Sequence, residues 1–259
     1  MHAQPGPAYR LTMREHTDPV RIERCGVVDY ERAWQRQRDL AAARVAGTGA
    51  DTVLLLEHPP VYTAGKRTRL ADRPNDGTPV VDVDRGGRIT WHGPGQLVGY
   101  PIVKLGTPVD LVAYIRLLEH VLISACGDLG LDAIRISGRS GAWLPADGAR
   151  PDRKVAAIGV RVARDVTMHG FALNCDPDLT WFDRIVPCGI TDAGVTSLST
   201  ELGRRVTVDD VIDVVETRLR EGLDGTLSTP VPIERAPAPP PGTGVDWRLD
   251  PLLAGPARR

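Results

Sequence analysis

Residues 84–100, DRGGRITWHGPGQLVGY, constrain the fold of this chain more than any other segment. Gly86, Gly87, Gly93 and Gly95 fall within ten residues, with Pro94 among them. A helix is excluded there, because an interior glycine costs about 1 kcal/mol relative to alanine and a proline about 3 kcal/mol. Glycine also permits positive φ and lets backbone approach a ligand closely. Arg85, Arg88, Thr90, His92 and Gln96 surround the glycines, and all can hydrogen-bond a ligand. The stretch lacks the Gly-Lys-Ser/Thr of a P-loop and the spacing of a dinucleotide fingerprint. The residues alone leave two readings open, a glycine-rich hairpin turn and a ligand-lining loop.

Hydrophobic periodicity organises the rest. Residues 9–15 and 20–24 read as short strands, and residues 80–84 and 97–105 as strands flanking the glycine-rich stretch. Residues 29–46 carry apolar side chains at helical spacing and stop at Gly47. Residues 51–57, DTVLLLE, form a continuous apolar run ended by Pro59-Pro60, the pattern of a buried strand. Residues 110–129 form the strongest helix, with Asp110 as N-cap and Gly130 at its end. Strand-like pieces follow at 133–136, 141–144, 154–163 and 166–174, the last two joined as a hairpin by Arg164-Asp165. A last amphipathic helix spans 207–220, opened by Thr207-x-x-Asp210 as a capping box. Residues 226–259 hold eight of the 22 prolines and read as an extended or disordered tail. Hairpins mixed with separated helices predict one α+β domain over residues 9–225, after a loose start at 1–8.

Composition excludes several classes. A formal net charge of −1 argues against a general nucleic-acid binder. No run approaches the ~20 apolar residues of a membrane span. No signal-peptide pattern is visible, so a cytoplasmic protein with free thiols is expected. Cys25, Cys126, Cys175 and Cys188 form no CxxC and no metal-type pairing. Of 32 basic residues only Lys66, Lys104 and Lys154 are lysine. In a chain this biased toward arginine, a surviving lysine marks a candidate place where arginine does not serve. No heptad or exposed apolar helix demands a partner subunit, so a monomer is expected.

The segment RGGRITWHGPGQLVGYPI closely resembles the signature of the octanoyltransferases of lipoate biosynthesis, the lipoate-protein ligase B family. RKVAAIGVRV at 153–162, MHGFALNCD at 168–176 and IVPCGITDAGVTSL at 185–198 match further family segments in order and spacing. The resemblance covers residues 20–225. It implies a single mixed α/β domain with a largely antiparallel sheet flanked by helices, similar to the catalytic domains of lipoate and biotin protein ligases. It also implies transfer of an octanoyl group from octanoyl-acyl carrier protein to a lysine of a lipoyl domain. The acceptors would be the E2 subunits of 2-oxoacid dehydrogenases and the glycine cleavage H protein.

The family's catalytic pair falls on Lys154 and Cys188. The residues supply an independent, weaker argument. Cys188 lies between Pro187 and Gly189, a turn-like context that favours exposure. A nearby cation favours its thiolate, and amide N–H groups around Gly189 can converge on an oxyanion. Acyl transfer to an amine needs a group that accepts and returns protons, and lysine does this where arginine cannot. By resemblance the substrate contacts Arg85, Gly86, Gly87, Arg88, Ile89, Thr90, Trp91 and His92. It also contacts Ala157, Ile158 and Gly159 on one strand, and Gly170, Phe171 and Ala172 on the next. Lys66, Arg67, Arg69 and Arg73 form a candidate basic rim for an acidic carrier protein. His169 is left between pocket lining and core, while His58, His120 and Cys175 read as structural. No cofactor and no metal are expected, because a thioester is already activated. An ATP-dependent ligase, a silent acyl-binding module and a thioester hydrolase remain as alternatives.

Overall fold

The computed structural model describes residues 13–15, 18–185 and 192–238. In chain order the elements are β1 (Arg21–Val27), α1 (Tyr30–Val45), β2 (Thr52–Glu57), β3 (Val61–Ala64), β4 (Val80–Asp82), β5 (Ile89–His92) and β6 (Gln96–Ile102). Then come α2 (Leu111–Asp128), β7 (Ile134–Ile136), β8 (Arg139–Leu144), β9 (Arg153–Ala163) and β10 (Val166–Asn174). The last are β11 (Gly194–Val195), α3 (Leu198–Leu202), α4 (Val208–Leu223) and β12 (Glu234–Arg235).

The main sheet has nine strands in the order β1-β2-β6-β10-β9-β8-β7-β12, with β11 added on β9. The pairings from β2 to β7 along this path are antiparallel. Only β1–β2, β12–β7 and β11–β9 are parallel. A mixed, largely antiparallel sheet is thus what the chain forms. A second, three-stranded sheet runs β4-β3-β5.

The apolar run of β2 is continuous because both faces are covered. Val53 and Leu55 join the core under α2 and α4, and Leu54 and Leu56 the smaller core under α1. Helix ends follow their caps. The Asp29 carboxylate accepts from the N–H groups of Glu31 and Arg32, and Asp110 from Ala113. Thr207 and Asp210 form the expected capping box at α4. Arg164 and Asp165 both adopt positive φ, 51° and 62°, as a tight two-residue hairpin turn requires.

Three expectations change in detail. The glycine-rich stretch is not one loop: β5 and β6 occupy most of it, and only Gly93, Pro94 and Gly95 turn between them. The strand read at 80–84 shortens to β4 and lies in the small sheet, where it pairs with β3. The described residues after 225, through Ala238, form the short strand β12 and are anchored. There β12 pairs with β7, His120 Nε2 lies 3.0 Å from the Pro230 carbonyl, and the Ala238 N–H donates to Asp152. Of the strand read at 9–15 only residues 13–15 are described, and Arg14 bridges to Leu105. No helix among the described residues is long and apolar enough to cross a membrane.

Candidate active site

Strands β9 and β10 pair Gly159 with Gly170 and Ala157 with Ala172. This row of small residues lies at the floor of a cavity of about 1240 Å³ that the two sheets and the start of α1 enclose. Larger side chains have no room here. A Cβ on Gly170 would sit 2.2 Å from the Gly99 carbonyl oxygen, and one on Gly159 3.2 Å from Arg85 Cδ. Ile158 and Phe171 also border the cavity, but their side chains pack toward the α2 core, as strand alternation dictates.

Lys154 stands on one wall. It is the second residue of β9, held between Trp143 of β8 and Val195 of β11. Its carbonyl accepts the Thr196 N–H at 2.9 Å, and the residue is only 7% exposed. The Nζ lies 4.7 Å from the centre of the Trp143 ring, a cation–π contact. Trp143 is itself locked, its indole N–H donating to the Arg139 carbonyl at 3.2 Å. Lys66 is exposed and Lys104 pairs with Glu15 at 2.8 Å, so of the three lysines only Lys154 lines the cavity.

His92 also lines the cavity, its ring stacked on Tyr30, with Tyr100 beside them. Its Nδ1 lies 2.7 Å from Gln96 Oε1, and Gln96 Nε2 donates to Asn174 Oδ1 at 2.8 Å. Asn174 Nδ2 donates to the Thr196 carbonyl, whose own N–H is bound to Lys154. With its amide nitrogen engaged, Gln96 offers His92 an acceptor, so Nδ1 carries the proton and Nε2 keeps a lone pair. Burial drives the imidazole pKa down to about 3, and the ring is neutral at pH 7. His58 is likewise neutral, its pKa pushed by burial to about 4. Its Nδ1–H donates to the Val28 carbonyl at 2.6 Å and its Nε2 accepts from the Tyr100 hydroxyl at 2.7 Å. Burial raises the Tyr30 phenol to about 12.

The Arg85–Arg88 turn closes a third side. Arg85 is buried, and its guanidinium donates to the carbonyls of Thr63, Gly86 and Arg88 and to the Thr63 hydroxyl. The Gly86 N–H donates to the Val160 carbonyl, which pins the turn over β9. Gly87, Arg88, Thr90 and His92 line the cavity. Ile89 and Trp91, read from the family as substrate contacts, point their side chains the other way. They pack with Tyr62, Phe182 and Ile185 under the small sheet, because β5 alternates its faces. Gly86 supports the turn and does not border the cavity. On the rim, Arg67 and Arg69 line the mouth, Arg73 is paired with Asp82, and Lys66 projects outside.

His169 is decided by the structure: it lines the cavity, with Nε2 2.8 Å from Asp84 Oδ1. This hydrogen bond holds the Asp84 carboxyl below the usual range. His169 also sits at φ 58°, a left-handed conformation within a strand, where its N–H is caught by Gln37 Oε1. Tyr30, Tyr100, Arg139, Ser140 and Asp192 are further cavity residues that sequence reading missed. Tyr100 alone carried a signal, at the end of the glycine-rich motif. Cys188 lies outside the described residues. Cys126 and Cys175 are fully buried, their thiols pushed up to about 12, and Cys25 sits exposed on β1. Among the described residues no cysteine lines the cavity.

Comparison with known proteins agrees with this geometry. Residues 29–220 match the family described as the lipoyl protein ligase A/B catalytic domain. An octanoyltransferase from Mycobacterium avium (strain 104) is 65% identical over 208 residues, 80% of this chain and 89% of that protein. One from Mycobacterium sp. (strain KMS) is 63% identical over 218 residues, 84% of this chain and 91% of that protein. Among solved structures, a bipartite lipoate protein ligase from Thermoplasma acidophilum superposes with a TM-score of 0.60 at 14% identity, covering 79% of this chain and 84% of that chain. That structure shares the fold, while the sequence relatives carry the family. The chain belongs to the lipoyl protein ligase A/B family and, within it, to the octanoyltransferases.

Proposed function

We propose that this acyltransferase moves an octanoyl group from octanoyl-acyl carrier protein to a lysine of lipoyl domains, through a thioester on Cys188, in the cytoplasm. The acceptors are the lipoyl domains of 2-oxoacid dehydrogenase E2 subunits and the glycine cleavage H protein. The observation that carries this reading is Lys154, buried on the wall of a cavity whose floor is a row of glycine and alanine. The floor suits a narrow acyl chain. Support for Cys188 comes from its Pro-Cys-Gly motif, and from Asp192, four residues on, which lines the same cavity.

In the first step the Cys188 thiolate, favoured by the Lys154 ammonium, attacks the thioester carbon. The bond to the donor's thiol breaks, and that thiol leaves with a proton given by Lys154. In the second step the acceptor amine attacks the octanoyl-Cys188 carbonyl. Lys154, now neutral, takes the amine's proton as the Cys188 thiolate departs, which leaves an amide and restores the thiolate–ammonium pair. One thioester and one amine give one amide and one thiol, so no nucleotide is consumed. Neutral His92, with Tyr30 and Tyr100, lines the cavity without adding charge near an apolar chain, and neutral His58 supports Tyr100 from behind.

Intact-mass measurement after incubation with octanoyl-carrier protein tests this. The expected result is one octanoyl adduct on the native chain and none on Cys188→Ala. A normal transfer rate from Cys188→Ala, or strict dependence on ATP, sinks the reading; the latter restores the ligase alternative.

A further inference from the structure

The cavity holds more positive charge than an octanoyl thioester asks for. Arg67, Arg69, Arg85, Arg88, Arg139 and Lys154 line it, against one carboxylate, Asp192. Most of these cations have assigned work. Arg139 is bound to Asp192 at 2.6 Å, and Arg88 to the buried Asp72 at 3.4 Å. Arg85 spends donors on the Gly86 and Arg88 carbonyls of its own turn and on Thr63 of β3. Lys154 is the proton carrier. Arg67 and Arg69 are different. Both are exposed at the cavity mouth, and among the described residues neither is ion-paired. Their backbone is fixed to the glycine turn: the N–H of Lys66 donates to the Arg85 carbonyl and that of Arg67 to Gly87. The Arg69 N–H is held by Asp72 Oδ2 at 2.9 Å. Two arginines on a pinned segment make a preorganised anion site.

The acceptor's lysine is not that anion, since it arrives as an amine or ammonium. The acyl chain is neutral. The volume also points to a longer occupant. A cavity of about 1240 Å³ exceeds the ~300–1,000 Å³ of ordinary small-molecule pockets. The donor's arm supplies both the length and the charge, for a phosphopantetheine thioester ends in a phosphate.

We infer that Arg67 and Arg69 form a phosphate subsite for the phosphopantetheine arm of the acyl donor. This rests on the functional reading above and deepens it. The arginines recognise the arm itself, and are not merely a surface that steers an acidic carrier protein. A phosphorylated arm occurs on a carrier protein and in coenzyme A, and the chemistry recognised is common to both.

Calorimetry on the full chain tests the subsite without requiring turnover. The probes are 4′-phosphopantetheine and pantetheine. The native chain is expected to bind the phosphorylated compound at least about tenfold more tightly, as a charge-assisted pair provides. Arg67→Gln/Arg69→Gln is expected to lose that preference while keeping its thermal unfolding midpoint. Equal affinity for both probes, binding of neither at millimolar concentration, or a preference that survives in the variant overturns the assignment. Competition in the transfer assay separates arm from protein surface. Holo-carrier protein and coenzyme A should inhibit, and carrier protein lacking the arm should not. Inhibition by the armless carrier that disappears in the double variant would make these arginines a protein-docking surface instead. A phosphate preference in a chain that forms no octanoyl adduct would refute the transfer reading and leave the subsite standing.

Discussion

At the scale of the residue, the question is what a lysine does at position 154 that arginine would not. The chain uses 29 arginines and three lysines, so arginine was the available cation. The contact with the Trp143 ring asks only for charge, and arginine would keep it. Proton transfer asks for more, because arginine stays protonated in proteins. Lys154→Arg is therefore expected to fold normally and to lose at least about 100-fold in transfer rate, the low end of what general acid–base catalysis contributes. Single-turnover kinetics on the adduct would show it, and a variant within threefold of the parent would mean that positive charge alone suffices. Position 154 was legible because its motif and its rarity coincide. That the Ile89 and Trp91 side chains face away from the cavity was not legible, because a motif string does not say which way alternate side chains face.

At the scale of the element, local chemistry explains most of what the sequence revealed. Asp110 and Thr207 cap their helices as read, and Asp29 caps α1 in the same way, since a cap needs only residues within one turn. Helix α4 depends on its cap to keep Val211, Val215 and Leu219 against α2. Thr207→Ala removes both the bond to the Asp210 N–H and the hydroxyl's bond to the Asp210 carboxylate. The expected loss is about 1 kcal/mol, read as a lower urea midpoint at unchanged slope. No loss would mean that packing on α2 alone sets the helix start. The hairpin β9–β10 was legible for the same local reason. Strands β3, β5 and β12 were not: each is four residues or fewer, and each exists only because a distant strand offers it hydrogen bonds.

At the scale of the whole molecule, buried polar groups set the response to acid. His58 and His92 have pKa values near 4 and 3 in the folded chain, against about 6.5 when unfolded. Below pH 6.5 the unfolded chain therefore binds protons that the folded chain refuses. Stability is full above that pH and falls as pH drops toward 4, by up to about 1.4 kcal/mol per pH unit for each histidine. Burial lowers His169 in the same direction. Urea unfolding at pH 7 and pH 5 should give a clearly lower midpoint at pH 5. Equal midpoints would mean that the fold accommodates charged imidazoles at the cavity wall.

The sequence by itself determined the three long helices, the Asp110 and Thr207 caps, the central hairpin and the family motifs, because each rests on residues a few positions apart. It also raised Lys154 and Cys188 as candidates for the reacting pair, of which Lys154 lines the cavity and Cys188 lies outside the described residues. Tertiary structure alone decided the cavity, since Tyr30, His92, Gly138, Lys154 and His169 meet there from separate parts of the chain. It also decided which arginines are spoken for. Arg139 is neutralised by Asp192, 53 residues away, and Arg88 by Asp72, 16 residues away. No local pattern assigns such pairs, because an ion pair forms between groups close in space, and only the packed sheets bring these groups together.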